Sequence, residues 1–308
     1  MDAFSKINLI LEVVGKRQDG YHELKSIMQS LALHDTLTIE TAVSNGASHA
    51  PRATQGNFQL ICSDPNLPTD DRNLVTRAAK YMMQEYNITT PVSIKLEKRI
   101  PVAAGLAGGS SDCAAALLGL NNLFNLNIPL HSTSQTSLME IGKRFGADVP
   151  FCLMANASPK SVTALAEGIG EKLTQLAPHP FMWVVLACPD IPVSTPGIFG
   201  RLGATALTQA RINSHESACP VMIQALEKSD NHAIFANLKN DLARVTIELY
   251  PEIQDIIDEM KNHDAQCAAM SGSGPSVYGY FTQKEQAEKA YKNFQNITGR
   301  IFLTKINT

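Results

Sequence analysis

The sequence lacks several features that would mark particular classes of protein. No stretch approaches the roughly 18 apolar residues that a membrane-spanning helix needs, although 44% of the 308 residues are hydrophobic. Neither sign of charge is in large excess, since 26 Lys and Arg face 29 Asp and Glu. No broad field therefore attracts nucleic acid or an anionic membrane. The apolar run near the amino terminus is interrupted by Glu12, which disfavours a signal peptide. We expect a soluble cytoplasmic protein that binds any anion locally.

The six cysteines are too far apart in the sequence for the usual metal-binding patterns. They stand at positions 62, 113, 152, 188, 219 and 267, and no two form a C-x-x-C pair. The eight histidines include no H-E-x-x-H pattern. These absences disfavour structural zinc and favour a reducing compartment.

Periodicity predicts a mixture of strands and helices. Strands are predicted where apolar residues alternate, at 6–14, 35–40, 58–63, 92–100 and 299–306. Helices are predicted where apolar residues recur at helical spacing, at 73–87, about 135–145, 240–250, 251–263 and 284–294. Residues 22–33 are ambiguous, and the polar stretch 43–57 is interpreted as a hairpin tip. Beyond Phe151, stretches rich in Pro and Ser separate shorter segments. This change predicts two domains, residues 1–160 and 161–308.

The stretch "KRIPVAAGLAGGSSD", residues 98–112, stands between a predicted strand and a helix-forming run. A helix beginning near Ser110 would present unpaired N–H groups and the positive end of its dipole to the loop. The glycines would let a phosphate approach the backbone closely. Ser110 and Ser111 can cap the helix or donate hydroxyls to phosphate or magnesium. The pattern favours a phosphate-binding loop over the plainer alternative, a glycine hinge.

This loop does not fit the better-known phosphate-binding and hydrolase patterns. It lacks the lysine of G-x-x-x-x-G-K-[ST] and contains no G-x-G-x-x-G. Asp112 stands where G-x-S-x-G requires glycine. The HRD and DFG elements of protein kinases are also absent. Another phosphate-binding class is therefore indicated.

Four motifs, in order and spacing, resemble those of the GHMP small-molecule kinases. "PVAAGLAGGSSD", residues 101–112, is similar to the second motif of that family, P-x-x-x-G-L-[GA]-[GS]-S-S. Its amino-terminal, catalytic-aspartate and carboxy-terminal glycine motifs resemble "KINLILEVVGKRQDGYHEL", "GADVPF" and "MSGSGPSVYGYF". "DGYH", together with Lys6 and Asn8, is similar to the member of the non-mevalonate isoprenoid pathway that acts on a cytidyl substrate.

The resemblance implies an α/β (α+β) fold with a mixed-sheet, ATP-binding amino-terminal domain and a smaller α+β carboxy-terminal domain. It implies transfer of a phosphoryl group from ATP, with Mg²⁺, to a hydroxyl group of a small molecule. Asp148 would then be the base and Lys6 its electrostatic partner. The implied substrate-binding residues are Asn8, Tyr21, His22 and Phe199, with Tyr21 and Phe199 stacking on the cytosine. The implied ATP-binding residues are Pro101, Val102, Ala103, Ala104, Gly105, Leu106, Ala107, Gly108, Gly109, Ser110 and Ser111.

Several of these side chains also have plainer interpretations. Lys6 could extend to solvent from a strand end, and Asp148 could be a turn or cap residue. Tyr21 and His22 could form a half-buried surface element, and Phe199 could belong to the core. Two functional rivals also remain. One is a GHMP kinase acting on homoserine or mevalonate, and the other is a non-catalytic binding protein of the same fold.

Overall fold

The computed structural model describes residues 1–41, 57–132, 137–204, 217–295 and 299–306. The predicted hairpin tip lies outside these residues, apart from Asn57. The chain divides into two compact units, each assembled from separate segments. Unit one contains residues 1–5, 34–100 and 108–159, and unit two contains residues 6–33, 101–107 and 160–308. The domain boundary after residue 160 stays a prediction.

The strands and helices are named in chain order. The strands are β1 (Asp2–Lys16), β2 (His22–Thr41), β3 (Phe58–Cys62), β4 (Val92–Glu97), β5 (Thr163–Gly168), β6 (Lys172–Gln175), β7 (Met182–Cys188), β8 (Lys239–Asn240), β9 (Cys267–Met270), β10 (Val277–Phe281) and β11 (Arg300–Ile306). The helices are α1 (Leu74–Glu85), α2 (Gly108–Leu123), α3 (Leu138–Lys143), α4 (Val149–Ala157), α5 (Thr195–Ala204), α6 (Cys219–Glu227), α7 (Asn231–Ala236), α8 (Asp241–Leu249), α9 (Glu252–Asn262) and α10 (Lys284–Phe294).

Unit one combines a mixed sheet with a helical layer. Strand β4 runs parallel to β3 and antiparallel to the last part of β2, from Thr36 opposite Glu97 to Thr41 opposite Val92. Helix α2 packs against both α1 and α4. Every residue from Ser111 to Leu120 is buried, as expected of a central helix that is apolar on all sides.

Unit two contains two groups of strands. The first part of β2 pairs antiparallel with β5, which pairs with β6, while β1 pairs in parallel with β8. A separate antiparallel sheet has the order β11-β7-β10-β9, and helices α9 and α10 pack against it. The expected α+β class with a mixed sheet is confirmed.

Most predicted elements are confirmed, and the differences have local causes. The ambiguous stretch 22–33 is part of β2. The strand predicted at 92–100 ends at Glu97, because Arg99 and Ile100 donate their backbone N–H groups to the Asp35 carboxylate. The helix predicted near Ser110 begins two residues earlier, at Gly108, directly after the left-handed residue Ala107. The helix predicted at about 135–145 is described over Leu138–Lys143, and residues 133–136 lie outside the described part.

Candidate active site

The backbone of residues 101–111, here called the glycine loop, has the geometry of an anion cradle. Ala103, Gly105 and Ala107 have φ angles of +55°, +75° and +57°, and such values are uncommon outside glycine. A backbone in which φ alternates between positive and negative values turns successive N–H groups toward one concavity. The first turn of α2 follows at Gly108, and its N–H groups have no acceptors within the helix. Residues 103–107 and the first turn of α2 each offer backbone N–H donors to an anion.

The start of α2 is open on one side and fixed on the other. A Cβ added at Gly109 would meet nothing within 4 Å, so the backbone there is accessible to a ligand. Ser110 is half-buried, whereas Ser111 is buried and its Oγ donates to Asn156 Oδ1 at 3.3 Å. Asn156 Nδ2 in turn donates to Ser111 O at 3.0 Å. Ser111 thus fixes α2 against α4, and Ser110 is the better placed of the two serines for a ligand.

A second glycine-rich segment, Ser271–Pro275, here called the buttress loop, packs against the glycine loop. Ser271 Oγ donates to Gly105 O at 3.0 Å. A Cβ added at Gly105 would lie 2.4 Å from Ser271 O, and real side chains do not tolerate that distance. The close approach of the two backbones therefore requires glycine at 105, and the positive φ there also favours it.

Lys6 and Asn8 lie side by side on one face of β1. Lys6 is 4% exposed, and its Nζ donates to Asn8 Oδ1 at 2.8 Å. Asn8 Nδ2 donates to Ser26 Oγ at 2.8 Å, and Lys6 N donates to Leu106 O at 3.1 Å. The interpretation of Lys6 as a strand-end lysine in solvent is wrong. Burying an ammonium group costs free energy, so its position directly beside the glycine loop favours a functional role.

Asp148 occupies the N-cap position of α4. Its backbone has φ −81° and ψ −15°, and its side chain makes no capping hydrogen bond. Asp148 therefore lies in a turn at the cap position, as the plainer interpretation expected, but its carboxylate does not cap the helix. Asp148 belongs to unit one and Lys6 to unit two, and their pairing as base and electrostatic partner stays a prediction.

Among the residues implied to bind substrate, His22 and Phe199 contact each other and Tyr21 is exposed. His22 and Phe199 stack with centroids 5.1 Å apart and planes 28° from parallel. Burial, reinforced by Lys16, lowers the pKa of His22, which favours the neutral imidazole with one donor and one acceptor nitrogen. Tyr21 is 61% exposed. Phe199 also packs against the core of unit two, so its implied site role and its core role are compatible.

The sequence did not reveal a buried ion network beside the start of α2. Lys98 Nζ donates to Asp112 Oδ2 at 2.7 Å and contacts the Asp35 carboxylate. A Cβ added at Gly108 would lie 3.4 Å from Lys98 Nζ, so the ammonium group lies against the first residue of the helix. Burial, opposed by Lys98, raises the pKa of Asp112 to about 7. Asp112, the one charged residue of α2, was the available signal.

The described residues provide no complete metal-binding cage. Among them, no group of three or more His, Cys, Asp or Glu side chains could hold a metal ion. Mg²⁺ in kinases usually takes many of its ligands from phosphates and water, with one or two carboxylates. Binding of Mg²⁺ by this protein stays a prediction. Within the described ranges, no helix is long and apolar enough to cross a membrane.

The fold and the two packed glycine loops define the class of protein. A left-handed, lysine-free glycine loop that opens a helix, beside a buried lysine, is suited to holding a phosphorylated small molecule. Residues 73–156 match the family described as GHMP kinases N terminal domain, and residues 222–299 match GHMP kinases C terminal. The chain belongs to the GHMP kinase family, and the resemblance seen in its motifs is confirmed.

Similar proteins cover nearly the whole chain. A 4-diphosphocytidyl-2-C-methyl-D-erythritol kinase of Acetivibrio thermocellus is 41% identical over 99% of this chain and 98% of its own length. One from Caldicellulosiruptor saccharolyticus is 40% identical over 99% of this chain and 95% of its own. A crystal structure of 4-(cytidine 5'-diphospho)-2C-methyl-D-erythritol kinase has a TM-score of 0.76 at 28% identity, covering 100% of this chain and 99% of that one. L. major mevalonate kinase, with a TM-score of 0.72 at 13% identity over 99% and 95% of the two chains, shares the fold.

Proposed function

We propose that this protein transfers the γ-phosphoryl group of ATP to the 2-hydroxyl group of 4-diphosphocytidyl-2-C-methyl-D-erythritol. The observation that carries the proposal is identity of about 40% over nearly the full chain with kinases named for that substrate. The reaction belongs to the non-mevalonate synthesis of isoprenoid precursors. We place the enzyme in the cytoplasm, with residues 1–160 as its ATP-binding domain and residues 161–308 as its second domain.

The glycine loop would hold the nucleotide phosphates on its backbone N–H groups. Support comes from the left-handed residues at 103, 105 and 107 and from the open backbone at Gly109. Mg²⁺, when bound with ATP, neutralises charge on the phosphates. Ser110 would add a hydroxyl donor at the start of α2.

Asp148 would accept the proton of the attacking hydroxyl group. An alcohol is too weak an acid to ionise beforehand, so proton transfer comes late and positioning supplies much of the rate. The buried ammonium group of Lys6 would keep negative charge stable on the reacting oxygens. The hydrogen bond from Lys6 to Asn8 would restrict the lysine to one orientation.

The cytidyl group would be held by Asn8, Tyr21, His22 and Phe199. A neutral His22 can both donate to and accept from the edge of a base, and its lowered pKa favours that form. The exposed ring of Tyr21 would provide a stacking surface for cytosine.

A substrate panel tests the proposal. The purified protein should consume ATP with the cytidyl substrate and not with homoserine or mevalonate, and ³¹P NMR should show a new phosphomonoester. Turnover of homoserine or mevalonate instead would show that the protein is a different kinase of the same family. Binding of the cytidyl substrate without any turnover would favour the non-catalytic rival.

A further inference from the structure

We propose that Asn240 is a positioning residue that sets the geometry of the glycine loop through the buttress loop. The inference rests on the proposed function, since it concerns the nucleotide loop of that reaction. It is carried by three hydrogen bonds of one side chain and by the backbone contacts of the loop that this side chain holds.

The amide of Asn240 connects two segments. Its Nδ2 donates to Met270 O at 2.9 Å and to Gly272 O at 2.8 Å. Its Oδ1 accepts from Leu242 N at 3.0 Å and so caps helix α8. Both N–H donors are therefore used on the chain at and just before the buttress loop, and only an amide can donate twice there while accepting a cap bond.

The carbonyl groups held in this way adjoin the contact with the glycine loop. Gly272 is left-handed, with φ +59°, and a Cβ added to it would lie 3.2 Å from Gly105 O. The neighbouring Ser271 O accepts from Gly274 N at 2.9 Å, and Ser273 O accepts from Thr246 Oγ1 at 3.2 Å. A shift of Gly272 would therefore press directly on Gly105.

Asn240 is itself fixed to the strand that carries Lys6 and Asn8. Strand β8 pairs in parallel with β1, with Asn240 opposite Leu11. The adjacent Asp241 accepts from Val13 N at 2.9 Å. At its other end β1 binds the glycine loop through Lys6 N and Leu106 O, 3.1 Å apart. Asn240 thus closes a ring of contacts from β1 through the buttress loop to Gly105 and back to Lys6.

The variant Asn240→Asp tests this role. It keeps the capping oxygen but places a carboxylate oxygen against two carbonyl groups. Because misplacement of a site by about 1 Å can cost 10²-fold in rate, we expect kcat/KM for ATP to fall by about 10²-fold. The affinity for the cytidyl substrate should be nearly unchanged. Asn237→Asp is the matched control, because the Asn237 amide donates only to the helix that it follows, α7, at Ala233 O (2.7 Å). The ATP parameters of this variant should equal those of the wild type.

Hydrogen exchange of residues 101–107 provides a readout that does not depend on activity. Exchange there should be faster in Asn240→Asp than in the wild type, and also in Asn240→Ser, which keeps a capping oxygen and remains usable if the aspartate variant does not fold. Wild-type ATP parameters, equal weakening of both ligands or unchanged exchange would overturn the role of Asn240. A wild-type protein that fails to phosphorylate the cytidyl substrate would contradict the proposed function, while the exchange comparison would still decide whether Asn240 holds the glycine loop.

Discussion

Lys98 Nζ lies 2.7 Å from Asp112 Oδ2, and the side chains of these two residues are 7% and 4% exposed. The same ammonium group contacts Asp35, whose carboxylate also accepts from Ile100 N at 2.8 Å. These bonds join the end of β4 to the first turns of α2. They therefore fix the chain on both sides of residues 101–107.

Removing the ammonium group should destabilise the protein strongly. Lys98→Met leaves the carboxylates of Asp35 and Asp112 buried without their cation, and such a loss typically costs about 3–5 kcal/mol. Lys80→Met is the control, because its pair with Asp71 at 2.6 Å is exposed and should contribute less than about 1 kcal/mol. Urea unfolding measures both values at pH 8. Equal losses in the two variants would contradict a structural role for the network.

Two glycine substitutions should separate loop strain from ligand contact. Gly105→Ala combines a φ of +75° with a clash against Ser271 O, so both the melting temperature and ATP affinity should fall. Gly109→Ala meets no protein atom within 4 Å, so the fold should remain while ATP binding weakens. Calorimetry and thermal unfolding provide the two measurements. Unchanged ATP affinity in Gly109→Ala would show that the start of α2 does not hold phosphate.

Elements with a regular apolar period could be predicted from the sequence, and those that depend on distant polar partners could not. The stretch 22–33 was ambiguous because its buried polar side chains have distant partners. Gln29 Oε1 accepts from Thr163 Oγ1 at 2.5 Å, and Ser30 Oγ accepts from Val162 N at 2.7 Å. Hydropathy counts such residues as surface, whereas hydrogen bonding lets them lie inside.

The residues of the candidate site also fall into two groups, those with a local sequence pattern and those that depend on distant partners. The glycine loop, Lys6 and Asn8 were predictable because their motifs are contiguous or lie on one strand face. The end of β4 depends on Asp35, which is 63 residues from Lys98, so no local pattern predicts it. The role proposed for Asn240 likewise depends on carbonyl groups 30 and 32 residues further along the chain.

Acid should destabilise the protein through His179. This ring is 1% exposed, its Nε2 has no hydrogen-bond partner, and burial lowers its pKa from 6.5 to about 4. Below pH 6.5 the unfolded chain binds a proton that the folded protein does not bind until about pH 4. Stability therefore falls as the pH drops through this window, by about 3 kcal/mol in total at 1.36 kcal/mol per unit.

The variant His179→Gln isolates that contribution. Unfolding free energies of the wild type and the variant are compared at pH 7 and at pH 4.5. The wild type should lose about 2 kcal/mol more than the variant between these two values. Parallel losses would show that other groups cause the acid sensitivity.

Asp148→Asn should abolish most turnover while preserving the fold. The substitution removes the proton acceptor, and loss of a general base typically costs about 10²-fold to 10⁴-fold in rate. ATP affinity, measured by calorimetry, should be nearly unchanged, because shape and size are retained. A variant with more than half of the wild-type kcat would contradict the assignment of Asp148.

Lys6→Ala should lower kcat severely in the same assay, with less effect on ATP binding.

The final prediction concerns Tyr21, a residue that is 61% exposed and that precedes His22 of the His22–Phe199 stack. If Tyr21 stacks on cytosine, Tyr21→Ala removes an interaction worth about 1–3 kcal/mol per base. The affinity for the cytidyl substrate should then fall by about 5-fold to 150-fold, since each 1.4 kcal/mol is a factor of ten. Tyr21→Phe should be much milder, because the ring face survives. ATP affinity should hardly change in either variant.

Binding of the cytidyl substrate and of an ATP analogue to the wild type, Tyr21→Ala and Tyr21→Phe provides the measurement. Equal weakening of both ligands in Tyr21→Ala would indicate a folding defect, and no weakening of either would remove Tyr21 from the substrate site.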